Sequence, residues 1–423
     1  MKVPGKKVSI LGLGQSGFQS ALFLHAKGYR VYASDISGQD PIRDKVEELK
    51  KLGIEADCGK HSEEEILRSN WVLLSPGINP SVPICQKIIQ KGIPIFSEIE
   101  VAGWFSKSRR IIAVTGTAGK TTVSTLIAKV LRNSVREVVL CGNIGNPWVG
   151  ELEKIREETY VVIEVSSFQL KFCESFHPRL AVLTNLSPNH FDWHSGMKDY
   201  VSSKLRIYQN QDSDDFALLR RQDQEQYFPD YPIQAQREYF GDDPKRNPND
   251  DVVTRVCRLL GCSPAVIERT LREFKGIEHR LEWVGEWQGV RYVNDSKSTT
   301  SRSLAWALEK FEDQRVLLIA GGKAKAKDFA DLNGLMRQKV KKAFLIGEAQ
   351  ALMEETWGAV CAVERCESLK EAVRKTHEEA AEGDIVLLSP ACASFDMFTN
   401  YEERGMIYKK IVHEIAGGVK ADV

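Results

Sequence analysis

Residues 111–122 read Ile-Ile-Ala-Val-Thr-Gly-Thr-Ala-Gly-Lys-Thr-Thr and decide the fold of the chain around them. The first four residues are apolar and predict a buried strand, and the residues after Thr122 have the pattern of a helix. The turn between them places backbone N–H groups and a helix N-terminus around an anion. A Gly-Lys-Thr sequence in such a turn is typical of loops that hold the phosphates of a magnesium-bound nucleoside triphosphate. We therefore expect the protein to use ATP.

Positions in this triphosphate loop (residues 115–122) have separate expected roles. Glycines at 116 and 119 let the main chain approach phosphate oxygens. Lys120 is expected between the β- and γ-phosphates, and Thr121 is expected to offer its hydroxyl to Mg2+, because a hard cation prefers oxygen. Val114 stands where the full G-x-x-x-x-G-K-[ST] motif has its first glycine, so the loop is a shortened form. The expected ATP-binding residues here are Gly116, Thr117, Ala118, Gly119, Lys120, Thr121 and Thr122.

Short β-branched runs alternate with longer amphipathic stretches along the chain, which predicts repeated β-α units and an α/β fold with parallel sheets. A polar, basic break at 106–110 separates the first group of runs from the second. Residues 221–250 are rich in Gln, Asp, Asn and Pro and are expected to form loops, before a helix at 264–274. The expected strands are residues 8–11, 30–33, 71–74, 93–96, 111–114, 138–140, 160–163, 180–183, 290–293, 315–319, 343–346 and 384–388.

Length and composition narrow the class of protein. A chain of 423 residues fits about three domains. Lys+Arg and Asp+Glu balance at 58 each, which removes the broad positive field that binds nucleic acid or anionic membranes, so small-molecule partners are expected. The nine cysteines form no C-x-x-C pair, and no segment approaches about 18 apolar residues. We expect a cytoplasmic protein with reduced thiols and no membrane span.

A second glycine-rich turn, Gly-Leu-Gly-Gln-Ser-Gly at 12–17, follows the first expected strand, and Asp35 ends the next strand. This pattern is typical of a Rossmann fingerprint. Three interpretations stay open at this point. The turn binds NAD or FAD with Asp35 on the ribose, or it binds the diphosphate of a UDP-sugar, or its glycines serve only strand–helix packing.

Polar residues follow two further strands of the second group. Glu164 comes directly after the run 160–163, at the carboxyl edge where open α/β sheets place their ligands, and it suits a second oxygen ligand for Mg2+. His190 follows the run 180–183 and is expected on the same edge. By spacing alone, His190 is interpreted as a packing or surface residue and Lys204 as a solvated helix lysine.

A series of motifs in one order resembles the Mur ligase family, the ATP-dependent amide-bond-forming enzymes of peptidoglycan assembly. The start at 12–17, with 75–78 and the ending at 398–405, resembles the branch that adds D-glutamate. The likeness covers nearly the whole chain. Its motifs are Thr-Gly-Thr-Ala-Gly-Lys-Thr at 115–121, Gly-Asn-Ile-Gly at 142–145, Glu-Val-Ser-Ser-Phe-Gln-Leu at 164–170, and the segments 184–190, 204–208, 279–280, 294–299 and 388–396.

The resemblance implies three domains. These are a Rossmann-like domain at 1–105 that binds a UDP-sugar, a central P-loop ATPase-like domain at 106–277 that binds ATP, and a Rossmann-like domain at 278–423 that binds the amino acid. It also implies a reaction in which ATP phosphorylates the carboxylate of UDP-N-acetylmuramoyl-L-alanine and D-glutamate attacks the acyl phosphate. The expected cofactors are ATP and Mg2+, and we expect the enzyme to be a monomer.

Residue roles are carried over from the matched motifs. The expected catalytic residues are Lys120, Glu164, His190 and Lys204. Thr121 and Glu164 would hold one Mg2+, and His190 with Lys204 would serve a second, because the family lysine is carbamylated and so becomes an anionic oxygen ligand. The expected contacts to substrates are Arg280 and Asp295 for the phosphates and ribose of ATP; Gly14, Gln15, Ser16, Asp35, Gly77, Asn143 and His190 for the UDP-sugar; and Thr299, Lys325, Ser394 and Tyr401 for D-glutamate.

Some positions depart from the family pattern. Ala118 replaces the usual Asn, Asn189 replaces an Asp, and Tyr401 stands where a Phe is expected. The family's His-Asn-x-x-Asn segment, which helps to hold adenine, has only a faint counterpart at 246–250, so no adenine contact is carried over.

Other functions compete with this interpretation. A nicotinamide-dependent dehydrogenase would rest on residues 12–17 and Asp35 alone and would leave the triphosphate loop unexplained. An ATP-driven switch or binding protein would leave Lys325 and residues 389–396 without a role. An ordinary glycine-containing turn at 115–122 is disfavoured because Gly-Lys-Thr lies between strand and helix. Sibling ligases that add L-alanine, a diamino acid or a dipeptide, or that add glutamate to folate, also stay open.

Overall fold

The computed structural model describes residues 4–191, 193–274, 276–311, 316–324 and 329–415. The chain divides into two compact units, residues 1–274 and 275–423. The first unit contains two sheets and the second contains one. The expected α/β class is confirmed. Among the described residues, no helix is both long and apolar enough to cross a membrane.

The first sheet is parallel, with strand order β3-β2-β1-β4-β5. Its middle strand pairs on both sides, so the apolar residues Val8, Ile10 and Leu11 are fully buried. The strands are β1 Lys7–Leu11, β2 Arg30–Asp35, β3 Glu55–Cys58, β4 Trp71–Leu74 and β5 Ile95–Phe96. The helices are α1 Gln15–Ala26, α2 Ile42–Lys51, α3 Glu63–Leu67, α4 Pro83–Gln90 and α5 Glu98–Phe105.

The second sheet has the order β11-β10-β9-β6-β8-β7 and is also parallel. Alternate residues of β6 lie in two different cores. Ile111 and Ala113 pack into one, and Ile112 and Val114 pack with helix α6 in the other. The strands are β6 Ile111–Thr115, β7 Val138–Gly142, β8 Tyr160–Glu164, β9 Leu180–Leu183, β10 Phe216–Leu219 and β11 Gln236–Tyr239. The helices are α6 Lys120–Asn133, α7 Trp148–Glu151, α8 Ser167–Leu170, α9 Met197–Leu205, α10 Arg221–Tyr227, α11 Pro248–Leu259 and α12 Pro264–Glu273, with short 3-10 turns at Leu152–Lys154 and Arg206–Tyr208.

The expectation that residues 221–250 form only loops is wrong. The segment contains α10, β11 and the start of α11. Strand β11 is an edge strand whose first two residues are exposed, so it lacks the apolar pattern of a buried strand. Asn247 starts α11 by accepting a hydrogen bond from the Asn249 N–H, and Pro248 occupies the first turn. The helix expected at 264–274 is confirmed as α12, which the Ser263 side chain caps.

The second unit contains a mixed sheet of order β12-β13-β17-β14-β15-β16. Its first strand is antiparallel, which differs from the parallel sheets expected. The hairpin turn at Gln288 and Gly289 has φ values of 53° and 73°, the left-handed geometry that two-residue hairpins need. The strands are β12 Glu282–Trp287, β13 Val290–Asn294, β14 Val316–Gly321, β15 Val340–Ile346, β16 Ala362–Arg365 and β17 Ile385–Leu388. The helices are α13 Ser301–Leu308, α14 Asn333–Lys339, α15 Gln350–Trp357, α16 Leu369–Glu379 and α17 Tyr401–Ile415, with a 3-10 turn at Phe329–Leu332.

Helix α5 joins the first sheet to the second through a buried carboxylate. Glu100 is 1% exposed. Its Oε2 accepts from the main-chain N–H groups of Glu174 (3.0 Å) and Phe176 (2.9 Å). Its Oε1 accepts from the Ser175 N–H at 2.8 Å and from the Trp104 indole at 3.1 Å. A single side chain therefore satisfies a run of three backbone donors.

Replacing Glu100 with Gln is expected to destabilise the first unit by about 2–3 kcal/mol, because a neutral amide presents an N–H2 group to donors that a carboxylate satisfies. Urea unfolding followed by tryptophan fluorescence measures the change. Glu64→Gln is the control, since Glu64 is exposed and forms an ion pair with exposed Arg68, so its midpoint should stay near wild type. Equal urea midpoints for the two variants would contradict the anchoring role.

Candidate active site

The triphosphate loop joins β6 to α6 through two glycines that no other residue can replace without strain. Gly116 has a φ of 146°, and a Cβ there would lie 1.9 Å from Thr184 Oγ1. Gly119 has a φ of 80° and directly precedes the first residue of α6. The loop therefore turns sharply into a helix N-terminus, as the sequence predicts.

Lys120 folds back over this loop. Its Nζ donates to the carbonyl oxygens of Gly116 and Thr117, each at 3.0 Å. Thr121 is buried and Thr122 is half-buried in the same first turn, which contains no acidic residue. The ammonium group and the helix N-terminus together create a positive site for an anion.

The segment after β9 forms hydrogen bonds to the main chain of the triphosphate loop. The sequence did not predict this role for the segment. Asn185 O accepts from the Thr117 N–H at 2.9 Å. Asn185 Oδ1 accepts from the Ala118 N–H (2.9 Å), and its Nδ2 donates to Ala118 O (3.0 Å). Thr184 Oγ1 also donates to Ala118 O, at 2.6 Å. Because the Ala118 peptide is fixed through its backbone and residue 118 is exposed, the loop conformation does not depend on the Asn that the family usually has there.

Glu164 ends β8, the strand beside β6, and contributes a buried carboxylate. The side chain is 2% exposed, and its Oε1 accepts from Asn143 Nδ2 at 2.8 Å. Its Oε2 has no hydrogen-bond partner among the described residues. A buried carboxylate oxygen is costly unless a partner neutralises it, so this oxygen fits a cation ligand.

Lys204 lies near the end of α9 and is also buried, at 2% exposure. The interpretation of Lys204 as a solvated helix lysine is therefore wrong. Its Nζ donates to Gly116 O at 2.8 Å, the same carbonyl that accepts from Lys120. Burial, and then the nearby charge of Lys120, hold the pKa of Lys204 well below its usual range, against the opposing effect of Glu164. Burial and the neighbouring Lys120 charge thus disfavour the protonated form of this amine.

His190 lies in the same cluster as these residues. Its φ of 57° is unusual for a residue other than glycine, and its side chain is half-buried. Its ring centroid lies 4.9 Å from that of Phe168 and 6.3 Å from that of Tyr200. The Tyr200 hydroxyl in turn bonds to Thr117 Oγ1 at 2.9 Å. The structure therefore connects His190 to the triphosphate loop through Tyr200, a residue that sequence reasoning did not single out.

The faint adenine counterpart at 246–250 lies beside the triphosphate loop. A Cβ on Gly119 would lie 2.8 Å from Asn249 Oδ1. The start of α11 is thus held against the glycine that opens α6.

The glycine-rich turn at 12–17 lies at the carboxyl edge of the first sheet. A Cβ on Gly17 would lie 1.9 Å from Gly12 O, so this glycine permits close strand–helix packing. Asp35 accepts from the Leu13 N–H at 2.7 Å and from the Ser37 N–H at 2.9 Å, so it also orders the turn. The other UDP-sugar residues expected in this sheet are exposed or half-buried at the same edge: Gly14, Gln15, Ser16 and Gly77.

In the second unit, Asp295 is enclosed. It is 3% exposed, and its carboxylate accepts from the Leu281 N–H (3.1 Å) and from the Ser389 hydroxyl (2.8 Å). Burial raises the pKa of Asp295 to about 6. Arg280 is exposed, and its guanidinium carbon lies 5.7 Å from the centre of the Trp306 ring.

The residues expected to hold D-glutamate follow neighbouring parallel strands of this unit. Thr299 comes after β13, and Ser394 comes after β17, so both follow carboxyl ends at one sheet edge. Tyr401 starts α17, and its carbonyl accepts from the Ser296 hydroxyl at 2.8 Å. Lys325 lies outside the described residues.

Arg404 is a buried residue of this region that sequence reasoning missed. It is 1% exposed, and its guanidinium donates to Ser296 O at 2.9 Å and Cys392 O at 3.2 Å. Burial lowers the pKa of Arg404 to about 10. Its place within the Tyr-Glu-Glu-Arg-Gly ending is the one signal that could have marked it.

Three family models match the chain in order. They are the Mur ligase MurD-like, N-terminal domain at residues 6–97, the Mur ligase middle domain at 114–239, and the Mur ligase, glutamate ligase domain at 279–392. The chain belongs to the Mur ligase family.

Relatives that match nearly the whole chain indicate which branch of the family it is most similar to. They share one name, UDP-N-acetylmuramoylalanine–D-glutamate ligase. The relative from Caldicellulosiruptor saccharolyticus is 36% identical, over 98% of this chain and 100% of its own. The relative from Aquifex aeolicus is also 36% identical, over 96% of this chain and 98% of its own.

Solved structures share the fold. UDP-N-acetylmuramate-alanine ligase MurC from Thermotoga maritima aligns with a TM-score of 0.53 at 17% identity, covering 96% of this chain and 99% of its own. E. coli FolC in complex with ADP aligns with a TM-score of 0.52 at 14% identity, covering 75% of this chain and 93% of its own. At these identities the likeness concerns the fold alone.

Proposed function

We infer that the protein is an ATP-dependent ligase that joins D-glutamate to UDP-N-acetylmuramoyl-L-alanine. The observation that carries this proposal is the cluster at the carboxyl edge of the second sheet. There the triphosphate loop, an unpartnered Glu164 oxygen and the buried Lys204 amine meet. Full-length relatives with one name support the choice of substrates and do not favour the sibling ligases.

ATP would bind on the triphosphate loop at 115–122. The N–H groups at the start of α6 and the Lys120 ammonium face the β- and γ-phosphates in this proposal. Arg280 and Asp295 of the second unit would contact the phosphates and the ribose. The exposed position of Arg280 suits a contact with phosphate. The Asp295 carboxylate is enclosed and already accepts from the Leu281 N–H and the Ser389 hydroxyl, so the ribose contact is the less supported of the two.

Magnesium fits the oxygen donors of this cluster. Thr121 and Glu164 would hold one ion, and the unpartnered Glu164 Oε2 is the observation that supports this assignment. His190 and a carbamylated Lys204 would serve a second ion. When bound, Mg2+ neutralises charge on the transferring phosphoryl group.

The proposed reaction starts with transfer of the γ-phosphoryl group to the L-alanine carboxylate of the UDP-sugar. Both groups are anions, so Lys120 lowers the barrier by offsetting their repulsion. The amine of D-glutamate then attacks the acyl phosphate and releases phosphate. Thr299, Lys325, Ser394 and Tyr401 would hold the amino acid, and the domain at 278–423 would present it.

The UDP-sugar would lie on the first sheet, in the domain at 1–105, and reach towards the domain at 106–277. Gly14, Gln15 and Ser16 offer a helix N-terminus to its diphosphate. Asp35 and Gly77 lie at the same edge, and Asn143 and His190 would contact the muramoyl end. We also propose that the enzyme works as a cytoplasmic monomer on small molecules, without nucleic acid or membrane partners.

The test is a panel of amino acids offered with UDP-N-acetylmuramoyl-L-alanine, ATP and Mg2+. Phosphate release should require D-glutamate and exceed that with L-glutamate, L-alanine or meso-diaminopimelate by at least about 100-fold, because a site with unmatched polar groups rejects other substrates strongly. Mass spectrometry of the product should show the added glutamyl residue. Equal turnover with L-alanine or meso-diaminopimelate would contradict the proposed substrate. A reaction without the UDP-sugar is the control for ATP hydrolysis alone.

A further inference from the structure

His194 is a buried histidine whose ring joins two elements that carry proposed metal ligands. Its Nε2 lies 2.9 Å from the Ser167 hydroxyl, and its Nδ1 lies 3.1 Å from Asp199 Oδ2. Ser167 begins α8, three residues after Glu164. Asp199 lies in the first turn of α9, and Lys204 lies in the last turn of that helix. One imidazole therefore links the Glu164 element to the Lys204 element.

The main chain of His194 makes a third connection. Its N–H donates to His190 O at 2.9 Å, which closes one helical turn between the two histidines. The Phe168 ring contacts both imidazoles, with centroids 4.9 Å from His190 and 5.5 Å from His194. The place of His190 therefore depends on where His194 is held.

Hydrogen-bond chemistry determines where the proton lies on the His194 ring. The Asp199 carboxylate can only accept, so Nδ1 carries the proton and Nε2 accepts from the Ser167 hydroxyl. Lys171 Nζ holds both oxygens of Asp199, at 2.7 and 2.8 Å. Both ring nitrogens are thus bonded inside the protein.

The order Ser-His-Asp matches that of a hydrolytic triad, but the surroundings do not. Ser167 is 2% exposed, so a substrate carbonyl cannot approach its hydroxyl. The His194 side chain is fully buried. The arrangement therefore suits holding neighbouring residues in place and does not suit nucleophilic attack.

We propose that His194 is a positioning residue that fixes Glu164, His190 and Lys204 relative to one another. This inference rests on the proposed function in one respect, that Mg2+ binds with ATP at this cluster. Outer hydrogen-bond partners of metal ligands commonly change metal affinity or activity by about 10–100-fold when they are removed. His194 differs from such partners in serving three ligand-bearing segments at once.

The test replaces His194 with Asn, which keeps a donor towards Asp199 and removes the acceptor of the Ser167 proton. Mn2+ binding in the presence of a nonhydrolysable ATP analogue is measured by electron paramagnetic resonance, together with kcat and each KM. We expect Mn2+ affinity and kcat each to fall about 10–100-fold. The KM for D-glutamate should change by less than about twofold, because the proposed amino-acid residues all belong to the second unit.

Two further variants make the result decisive. Ser167→Ala removes only the bond to Nε2 and should weaken Mn2+ binding about 3–10-fold, which tests the link even where the His194 variant does not fold. His377→Asn is the control, because His377 is also bonded through a ring nitrogen, to the Tyr292 hydroxyl, and belongs to the second unit. Its Mn2+ affinity should equal that of wild type.

Wild-type Mn2+ affinity in folded His194→Asn and Ser167→Ala proteins would overturn the proposal, and so would a lower melting temperature with Mn2+ binding intact. Failure of the proposed function has a different signature. The wild-type protein would then bind Mn2+ and the ATP analogue but form no glutamylated product.

Discussion

Lys120→Ala is expected to lower kcat for phosphate release by at least about 10³-fold, the scale on which cationic and oxyanion-stabilising groups act in phosphoryl and acyl transfer. The ammonium group of Lys120 lies on the Gly116 and Thr117 carbonyls at the N-terminus of α6. No acidic residue lies in the first turn of that helix to oppose it. Its removal takes away the one cationic side chain within residues 115–122.

The variant should stay folded, because the Lys120 side chain is half-buried and the Gly116 and Thr117 carbonyls that it bonds belong to the same loop. Coupled phosphate detection with all three substrates measures the activity, and thermal melting checks the fold. Lys129→Ala is the control, since Lys129 is an exposed lysine on the same helix and should keep wild-type turnover. Near-normal phosphate release by the Lys120 variant would contradict the proposed role of the triphosphate loop in phosphoryl transfer.

The sequence was informative where strands are central and buried. Every expected strand overlaps one that the structure contains. Ten of these twelve strands pair on both sides, as β6 does, and the edge strands β5 and β7 also carry apolar residues. Four of the unexpected strands, β3, β11, β12 and β16, are edge strands. Their outer sides face solvent, so polar residues such as Gln236 and Arg237 interrupt the apolar pattern. Among the described strands, β10 is the one unexpected strand that is internal, and its apolar run is only four residues long.

The sequence predicted the site residues that belong to a local motif. It did not predict residues that meet only through tertiary packing. The Gly-Lys-Thr pattern marks Lys120 because spacing along one turn sets its position. The bond between Asn185 and Ala118 joins residues 67 positions apart, and the bond between Ser167 and His194 spans 27. No local pattern encodes such pairs, so they became visible only once the sheet brought its carboxyl ends together.

Two lysines donate to one carbonyl oxygen, and nothing in the sequence predicts this arrangement. Lys120 and Lys204 both donate to Gly116 O, at 3.0 and 2.8 Å. Two ammonium groups that share one carbonyl repel one another, and burial, more than this repulsion, lowers the pKa of the more deeply buried group. That amine is Lys204, and a neutral lysine amine is the form that reacts with carbon dioxide to give a carbamate. The geometry therefore supplies a physical reason for the modification that the family resemblance implies.

Lys204→Ala is accordingly expected to lose at least about 100-fold in kcat, because it removes an anionic ligand from the proposed second metal site. Short carboxylic acids such as acetate or propionate should restore part of the activity, since the shortened side chain leaves room for an external carboxylate beside Glu164. Ethylamine should restore none, because it returns the cation and not the anion. Lys198→Ala is the control, as Lys198 lies exposed on the same helix and should respond to neither additive.

Phosphate release measured across a series of acid and amine concentrations separates the two chemistries of Lys204. Rescue that saturates with acetate, accompanied by recovery of Mn2+ binding, fits a carbamate that acts as an oxygen ligand. Rescue by amines would mean that Lys204 acts as a cation, in conflict with its buried position and with the direction in which its pKa moves. The charge of the additive that restores turnover therefore shows whether Lys204 acts as an anionic ligand or as a cation.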